Sequence, residues 1–397
     1  MTASRRTVIA AAAALALPSL VSAAPKKPKP PKPCAARVAY GGPPLRALLG
    51  AWQFDAAARA GSSRLAPVTS DRLEAAFEQA AAKMQTKALT AALATADGSI
   101  WTQTLAGKPG EPLPSRFFWA SVGKAYTATA ILQMVEEGKL SLDSTLDRWA
   151  PEARNAAWIT VEDLLGHTGG LYSFQNDPAL RAEPGYKPPE RLLAAAAAQP
   201  ANFCPGAAWS YSNTGYVHLG RIIEAVDGKP YHEAMRVRIV HRLDLRETDI
   251  LAPRQVVTGM APLAPSEPPG GTDDDVTTPY AAGAVAASAG DAVKFWRAMM
   301  SDRLHGAEQT RRRFMRLYPM TGVGPAHYGL GVMVSDLAAG DPRATDTWLG
   351  HAGGLPGAKA VIAYSLETQA YVAVALTGEG SPEATANLLL STLPKKA

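Results

Sequence analysis

Strand-like alternation gathers at the two ends of this chain and is largely missing between them. Residues 89–106 alternate around Asp97-Gly98, a dipeptide suited to a type I′ hairpin turn. Beyond Tyr328 the helical period gives way, and "YGLGVMVSD", "AKAVIAYS" and "QAYVAVALT" read as strands. From about 155 to 315 the pattern is mainly helical, interrupted by Pro/Gly loops at 174–189 and 252–280. Strands so far apart in sequence are best satisfied by one antiparallel sheet built from both terminal segments, with helices packed on it and a helical insertion. The expected class is α+β, an α/β-sandwich-like arrangement. Residues 70–154 and 316–397 form its α/β part and 155–315 its helical part. No internal repeat is visible.

Several helices carry end signals. Ser70 is a good N-cap for a helix whose face is marked by Leu73, Phe77 and Ala81. A second helix starts near Ser121, runs through "VGKAYTATAILQMVEE" and stops at Gly138, which suits a C′ glycine. Its middle is apolar or small on nearly every face, so it reads as a buried central helix. Thr160 caps "VEDLL", and further helices are expected at Tyr216–Val226, Asp291–Met300 and near Pro382–Leu393. Residues 35–69 contain an Ala/Gly-rich stretch without a period and stay unassigned.

The first 24 residues have a basic start, an apolar stretch from Val8 to Leu17 and a small-residue site at Val21-Ser22-Ala23. This is the pattern of a secretory signal, and its apolar run is too short to span a bilayer. Ser4-Arg5-Arg6 fits a twin-arginine signal loosely and an ordinary export signal equally well. The expected location is periplasmic or secreted. Residues 25–34 form a Pro/Lys linker, expected to be extended and solvated. It reads as a spacer, with a weak tether to an anionic surface as the alternative. No later segment reads as a membrane span. In an oxidising compartment Cys34 and Cys204 are candidates for a disulfide.

Charge and cysteine usage exclude other classes. The formal net charge is +5. Arg5 and Arg6 in the leader account for two of these charges and the four lysines of 25–33 for four, so the body carries 5 − 2 − 4 = −1. A nucleic-acid enzyme needs its basic surface on the folded part, and none is expected here. Two cysteines cannot make a four-cysteine zinc site, and no His pair has metal-ligand spacing. No metal or cofactor is expected, and the protein is expected to be a monomer.

The chemistry is concentrated in three short stretches. In "FWASVGK" Ser121 and Lys124 stand three residues apart, on one face of a helical turn. A serine hydroxyl needs a nearby base, and a lysine desolvated by apolar neighbours can act as one near neutral pH. The helix N-terminus adds free N–H groups beside the serine. Alone, a Ser-x-x-Lys pair is weak, because it arises about once by chance in a chain of this length. Its weight comes from the company of Tyr211-Ser-Asn213 in "WSYSNTGY" and His351-Ala-Gly353 in "LGHAGGLPG".

The order Ser-x-x-Lys, Tyr-x-Asn, His-x-Gly resembles the serine β-lactamase-related family of class C β-lactamases, certain D-alanyl-D-alanine carboxypeptidases and esterases. The stretches "GKLSLDSTLDRWAPE", "ITVEDLLGHTGGL" and "AAGAVAASAGDAVKFW" also look like it, and the resemblance covers about 70–395. It implies a serine hydrolase domain of β-lactamase/DD-peptidase-like fold, working without a cofactor through an acyl-Ser121 intermediate. Lys124 and Tyr211 would share the proton transfers, with the choice of base left open. Asn213 would orient the substrate amide, the N–H groups of Ser121 and Gly354 would form the oxyanion hole, and His351 with Gly353 would line the opposite wall. The substrate would be a small molecule or a peptidoglycan-derived one: an ester, amide or D-amino-acid peptide. The alternatives are a β-lactamase proper, or a penicillin-binding sensor or scaffold that acylates without turnover. A non-catalytic wall-binding protein is the remaining alternative.

Other residues have plainer readings. His167 fixes a helix-end turn, Asp163 and Glu162 belong to a helix N-terminus, and Trp119 and Trp209 belong to the core. The family places a lysine or histidine, then a threonine, before the glycine of the third motif. Here Ala352 replaces the threonine, and His351 is mostly neutral at pH 7 if its pKa is near the ordinary value of about 6.5. A carboxylate would be held weakly by this strand, so uncharged esters or amides are expected to outrun cephalosporins.

Overall fold

The computed structural model of the chain describes residues 33–46, 65–84, 86–95, 98–106, 112–263, 275–320, 325–337 and 346–395. The leader, most of the Pro/Lys linker and Asp97 lie outside the described residues. Among the latter, the strands in chain order begin with β1 (Thr86–Ala94), β2 (Ile100–Ala106), β3 (Phe117–Phe118), β4 (Thr248–Ile250) and β5 (Val285–Ala287). They continue with β6 (Tyr318–Pro319), β7 (Ala326–Tyr328), β8 (Met333–Asp336), β9 (Thr347–Leu355), β10 (Ala358–Ser365) and β11 (Tyr371–Gly378). The larger sheet has the order β2-β1-β11-β10-β9-β8-β7-β6, so the two termini meet where β1 pairs antiparallel with β11. A small sheet, β3-β5-β4, lies apart from it and puts two short strands into the region expected to be helical.

The sheet is covered on both faces, which explains the apolar runs along its inner strands. On one face Leu89, Leu93, Val372, Val374 and Leu376 meet the helices α1 (Pro67–Ala82) and α10 (Pro382–Leu390). On the other, Ala88, Ala92, Ala373 and Ala375 face the main core, which includes α2 (Gly123–Glu136), α6 (Asn213–Asp227) and α8 (Ala289–Met300). Alanines there let α8 approach the strands closely. From Gly123 to Met134 every residue of α2 is buried, and the helix ends where Gly138 takes a φ of 70°. Its all-round apolar sequence matches a helix with no solvent face. The other helices are α3 (Val161–Gly166), α4 (Pro178–Ala182), α5 (Pro189–Ala197), α7 (Tyr231–Met235) and α9 (Ala307–Arg312). Among the described residues no helix is long and apolar enough to cross a membrane.

Two expectations are corrected. The first helix begins at Pro67, not after Ser70: proline has the φ that a first helical position needs and lacks only a donor that would go unused there. "YGLGVMVSD" is not one strand but the end of β7, a turn through Gly331 at φ 70°, and β8. A side chain at Gly331 would also meet Ala128 of α2, so space and backbone both favour glycine.

The stretch without a period acquires a place through its partners. Cys34 is bonded to Cys204, with 5.7 Å between their Cα atoms. The Val38 and Gly41 N–H groups donate to the carbonyls of Pro205 and Ala207, each at 2.9 Å. The Arg46 N–H donates to the Leu317 carbonyl, and its guanidinium pairs with Asp336 on β8 at 2.6 Å. Residues 33–46 therefore form a strap fastened both to the loop at 204–207 and to the sheet.

Candidate active site

Ser121 stands in a single 3₁₀ turn, Ala120–Val122, that leads into α2. Ala120 is held at a φ of 46°, a conformation costly for a residue with a Cβ and frequent beside reactive groups. Lys124 follows one turn later, fully buried, and its Nζ lies 3.0 Å from Ser121 Oγ. The Nζ also donates to the Ala282 carbonyl at 2.7 Å. Burial deprives the ammonium of hydration and puts its pKa well below the ordinary lysine value. The Tyr211 and Tyr216 rings, 4.9 and 5.4 Å from Nζ, favour the cation but do not outweigh that loss.

The Ala282 carbonyl was not foreseen. It comes within reach because glycines meet at this point. A Cβ on Gly123 would lie 2.9 Å from the Gly283 Cα, and one on Gly283 would lie 2.8 Å from the Ala120 carbonyl oxygen. The local signal was the Ala-Ala-Gly run at 281–283.

Tyr211 arrives on a half-buried loop. Burial pushes its hydroxyl well above the ordinary tyrosine value, and a hydrogen bond to Ser121 offsets part of that shift. The loop is pinned on both sides of the ring. The Ser210 N–H donates to the His167 carbonyl, the Ser212 N–H to His167 Nδ1, and the Asn213 N–H to Ser173 Oγ. His167 itself ends α3 in the left-handed region at φ 63°, and its ring packs 4.4 Å from that of Tyr211. The turn role expected for His167 is present, and positioning the Tyr211 segment is added to it. Asp163 closes a capping box with Thr160 and pairs with Arg37 of the strap, which accounts for its carboxylate structurally. Trp119 is buried, its indole N–H donating to the Ala287 carbonyl.

Asn213 opens α6. Its Nδ2 donates to Gln175, while its Oδ1 is buried without a partner. Ser121, Asn213 and Gly354 line one cavity of about 290 Å³, whose other walls include Phe118, Phe174 and Leu192. Gly353 is required where β9 passes the serine: a Cβ there would lie 2.3 Å from the Trp119 carbonyl oxygen and 2.9 Å from the Ser121 nitrogen.

The reading of the third motif is corrected in two respects. His351 does not line this cavity. It is 1% exposed, its Nδ1–H donates to the Ala352 carbonyl at 2.7 Å, and its Nε2 accepts from the Tyr328 hydroxyl at 2.9 Å. Burial first, and Lys124 second, bring its pKa down to about 3, so it is a neutral support behind the wall. Ala352 lines a different cavity with Glu383 and Asn387, next to α10. Strand alternation explains this, since Trp348 shares that face while Leu349 points to the main core. Among the described residues no group of His, Cys, Asp or Glu has the geometry to hold a metal ion.

Comparison with known proteins bears on this geometry. Residues 73–392 match the family model described as Beta-lactamase. Penicillin-binding protein 4 of Amycolatopsis lactamdurans is 31% identical over 201 residues, which cover 47% of this chain and 51% of that protein. Esterase EstB of Burkholderia gladioli is 31% identical over 198 residues, covering 44% and 50% respectively. The chain thus spans about half the length of the curated relatives it matches. Among solved structures, a D-stereospecific amidohydrolase from Streptomyces sp. is similar with a TM-score of 0.68 and 27% identity, over 80% of this chain and 97% of that one. The D-amino acid amidase from Ochrobactrum anthropi SV3 has a TM-score of 0.72 at 21% identity, over 82% and 98%, a likeness of fold.

Proposed function

The chain belongs to the beta-lactamase family, and from that premise we propose that it is a serine hydrolase acting through an acyl-Ser121 intermediate on an ester or amide. One observation carries the reading: the Lys124 amine is buried, held by the Ala282 carbonyl and 3.0 Å from Ser121 Oγ. Burial acts on the two candidate bases in opposite senses, lowering the lysine and raising the tyrosine. Lys124 is therefore the base for acylation and Tyr211 the neutral donor.

In this mechanism Ser121 Oγ attacks the substrate carbonyl carbon while its proton passes to Lys124 Nζ. The developing oxyanion is held by the N–H groups of Ser121 and Gly354, an interaction that counts most in the transition state. As the tetrahedral intermediate collapses, the Tyr211 hydroxyl protonates the leaving group and recovers a proton from Lys124. Water then cleaves the acyl-enzyme by the same steps in reverse order. Asn213 lines the cavity beside Ser121, and its side-chain amide can both donate to and accept from a substrate amide, which supports amides alongside esters. The names of the relatives, an esterase and a penicillin-binding protein, agree with acyl transfer.

We also propose export to the periplasm or medium, supported by the leader pattern and by the disulfide. Labelling with a fluorophosphonate followed by mass spectrometry tests the central reading: the adduct is expected on Ser121, and no adduct forms in Ser121→Ala. Acylation by an ester or penicillin should then decay with time. An acyl-enzyme that persists would mark a sensor, and absence of any label would end the hydrolase reading.

A further inference from the structure

Lys124 is held by a backbone carbonyl, and such a carbonyl is only as well aimed as the turn that carries it. That turn is a single 3₁₀ turn, Tyr280–Ala282, entered at Tyr280 with a φ of 50°. Its own hydrogen bonds use two carbonyls. Pro279 accepts from the Ala282 N–H, and Tyr280 accepts from the N–H groups of Gly283 and Ala284. The next two, of Ala281 and Ala282, are the orphans left at the end of a helical turn. Both are taken by α2. Ala282 accepts from Lys124 Nζ at 2.7 Å, and Ala281 accepts from the Thr127 hydroxyl at 2.6 Å. Thr127 stands three residues after Lys124, on the same helix face and fully buried. A helical threonine commonly bonds back to the carbonyl four residues before it, but here that carbonyl, of Gly123, is farther away at 3.3 Å. With its hydrogen on Ala281, the Thr127 oxygen accepts from the Tyr231 hydroxyl, 2.7 Å away.

A neutral lysine amine has two hydrogens and one lone pair, and its Cε–Nζ bond turns freely. With one hydrogen given to Ala282, the lone pair can face Ser121 Oγ, 3.0 Å away. We propose that Thr127 is a positioning residue for the acylation base: by holding the Ala281 carbonyl it fixes the Ala282 carbonyl, and through it the direction of the Lys124 lone pair. Tyr231 completes the arrangement by donating to Thr127. This deepens the serine-hydrolase reading above and rests on it. The titratable groups that face Lys124 are Tyr211 on its loop, Tyr216 of α6, His167 at the end of α3 and His351 of β9. Burial keeps both imidazoles neutral and both phenols protonated. The Ala282 carbonyl favours the lysine cation over the neutral amine, so loosening it should lower the lysine pKa further and also slow the reaction.

The test is the pH profile of Ser121 labelling by a fluorophosphonate, in the wild type and in Thr127→Val, which keeps the shape and removes the hydroxyl. The plateau rate should fall about ten- to a hundredfold. The acid limb should move to lower pH by about one unit, the low end of what a charge-assisted hydrogen bond is worth. Thr127→Ser, which keeps the hydroxyl, should hold both near the wild type. If Thr127→Val does not fold, Thr127→Ala replaces it and the same shift is expected. A limb that stays at its wild-type pH would overturn the proposal and leave the hydrolase intact, since lost packing alone slows labelling without moving the limb. A Thr127→Ser profile matching that of Thr127→Val would overturn it as well. If the wild type is not labelled at Ser121, the hydrolase reading falls and this one with it.

Discussion

Two proton carriers serve the proposed reaction, and the fold holds them by different means. Lys124 sits in a helix with no solvent face, fixed by packing on all sides and by the Ala282 carbonyl. Tyr211 sits on a loop, fixed by hydrogen bonds to His167 and Ser173 and by a disulfide seven residues upstream. Packing is non-directional and hard to adjust, whereas a loop held by discrete links can be loosened one link at a time. Damage to the packing around Ser121 should therefore cost much of the chemistry at once, and damage to the links that hold the Tyr211 loop should grade it.

The largest losses are expected where a change removes the oxyanion geometry or the Tyr211 hydroxyl itself. Gly353→Ala inserts a methyl against two backbone atoms that cannot yield, the Trp119 oxygen and the Ser121 nitrogen. Loss of oxyanion geometry typically costs about 10²–10³ in turnover, and kcat for a simple ester should fall by that order while the thermal transition persists. Tyr211→Phe keeps the ring in its aromatic cluster and removes only the hydroxyl. Turnover should fall by about 10²–10⁴, with the melting temperature nearly unchanged. Gly353→Ala with wild-type activity would mean that the close approach of β9 is unimportant.

The strap allows a graded test. Cys34→Ser removes a link between residues 170 apart in sequence. A native disulfide typically contributes about 2–4 kcal/mol, and denaturant unfolding should show a loss of that size. Ester turnover should drop less than in Tyr211→Phe, because His167 still holds the loop. Thr160→Ala is the mildest change: it opens the capping box of α3, whose C-cap is His167. The expected loss is about 1 kcal/mol, read by denaturant unfolding. If either change lowered turnover as far as Gly353→Ala should, the contrast between the two regions would be false.

What could be read from the sequence follows the range of the interactions. Ser121 and Lys124 are one turn apart, so their meeting needs only a helix. The apolar run "AKAVIAYS" matches the observed bounds of β10, since its turn residues on one side and its composition are local. The Ala282 carbonyl meets Lys124 across 158 residues, and Tyr328 meets His351 across a turn and a strand pairing. No local pattern carries such contacts. The strand that carries His351 is legible locally, but the burial of His351 depends on Tyr328, which comes from β7. Two misses were local and avoidable. Pro67 announced the start of α1, and the glycines of "YGLGV" announced the turn between β7 and β8.

The claim on which the rest depends is that the Lys124 amine is neutral at working pH and takes the Ser121 proton. Burial lowers its pKa in the folded state, so the unfolded chain binds the extra proton between the two values. Stability linked to Lys124 therefore rises with pH through that window and is lost as pH falls through the folded pKa. The decisive measurement is the pH dependence of Ser121 labelling by a fluorophosphonate. The rate should be limited on the acid side by one group titrating well below the ordinary lysine value of about 10.4. In Lys124→Ala that limb should vanish and the rate should drop by about 10²–10⁴. A rate that climbs until the ordinary lysine range, or a Lys124→Ala variant with the wild-type profile, would contradict the account.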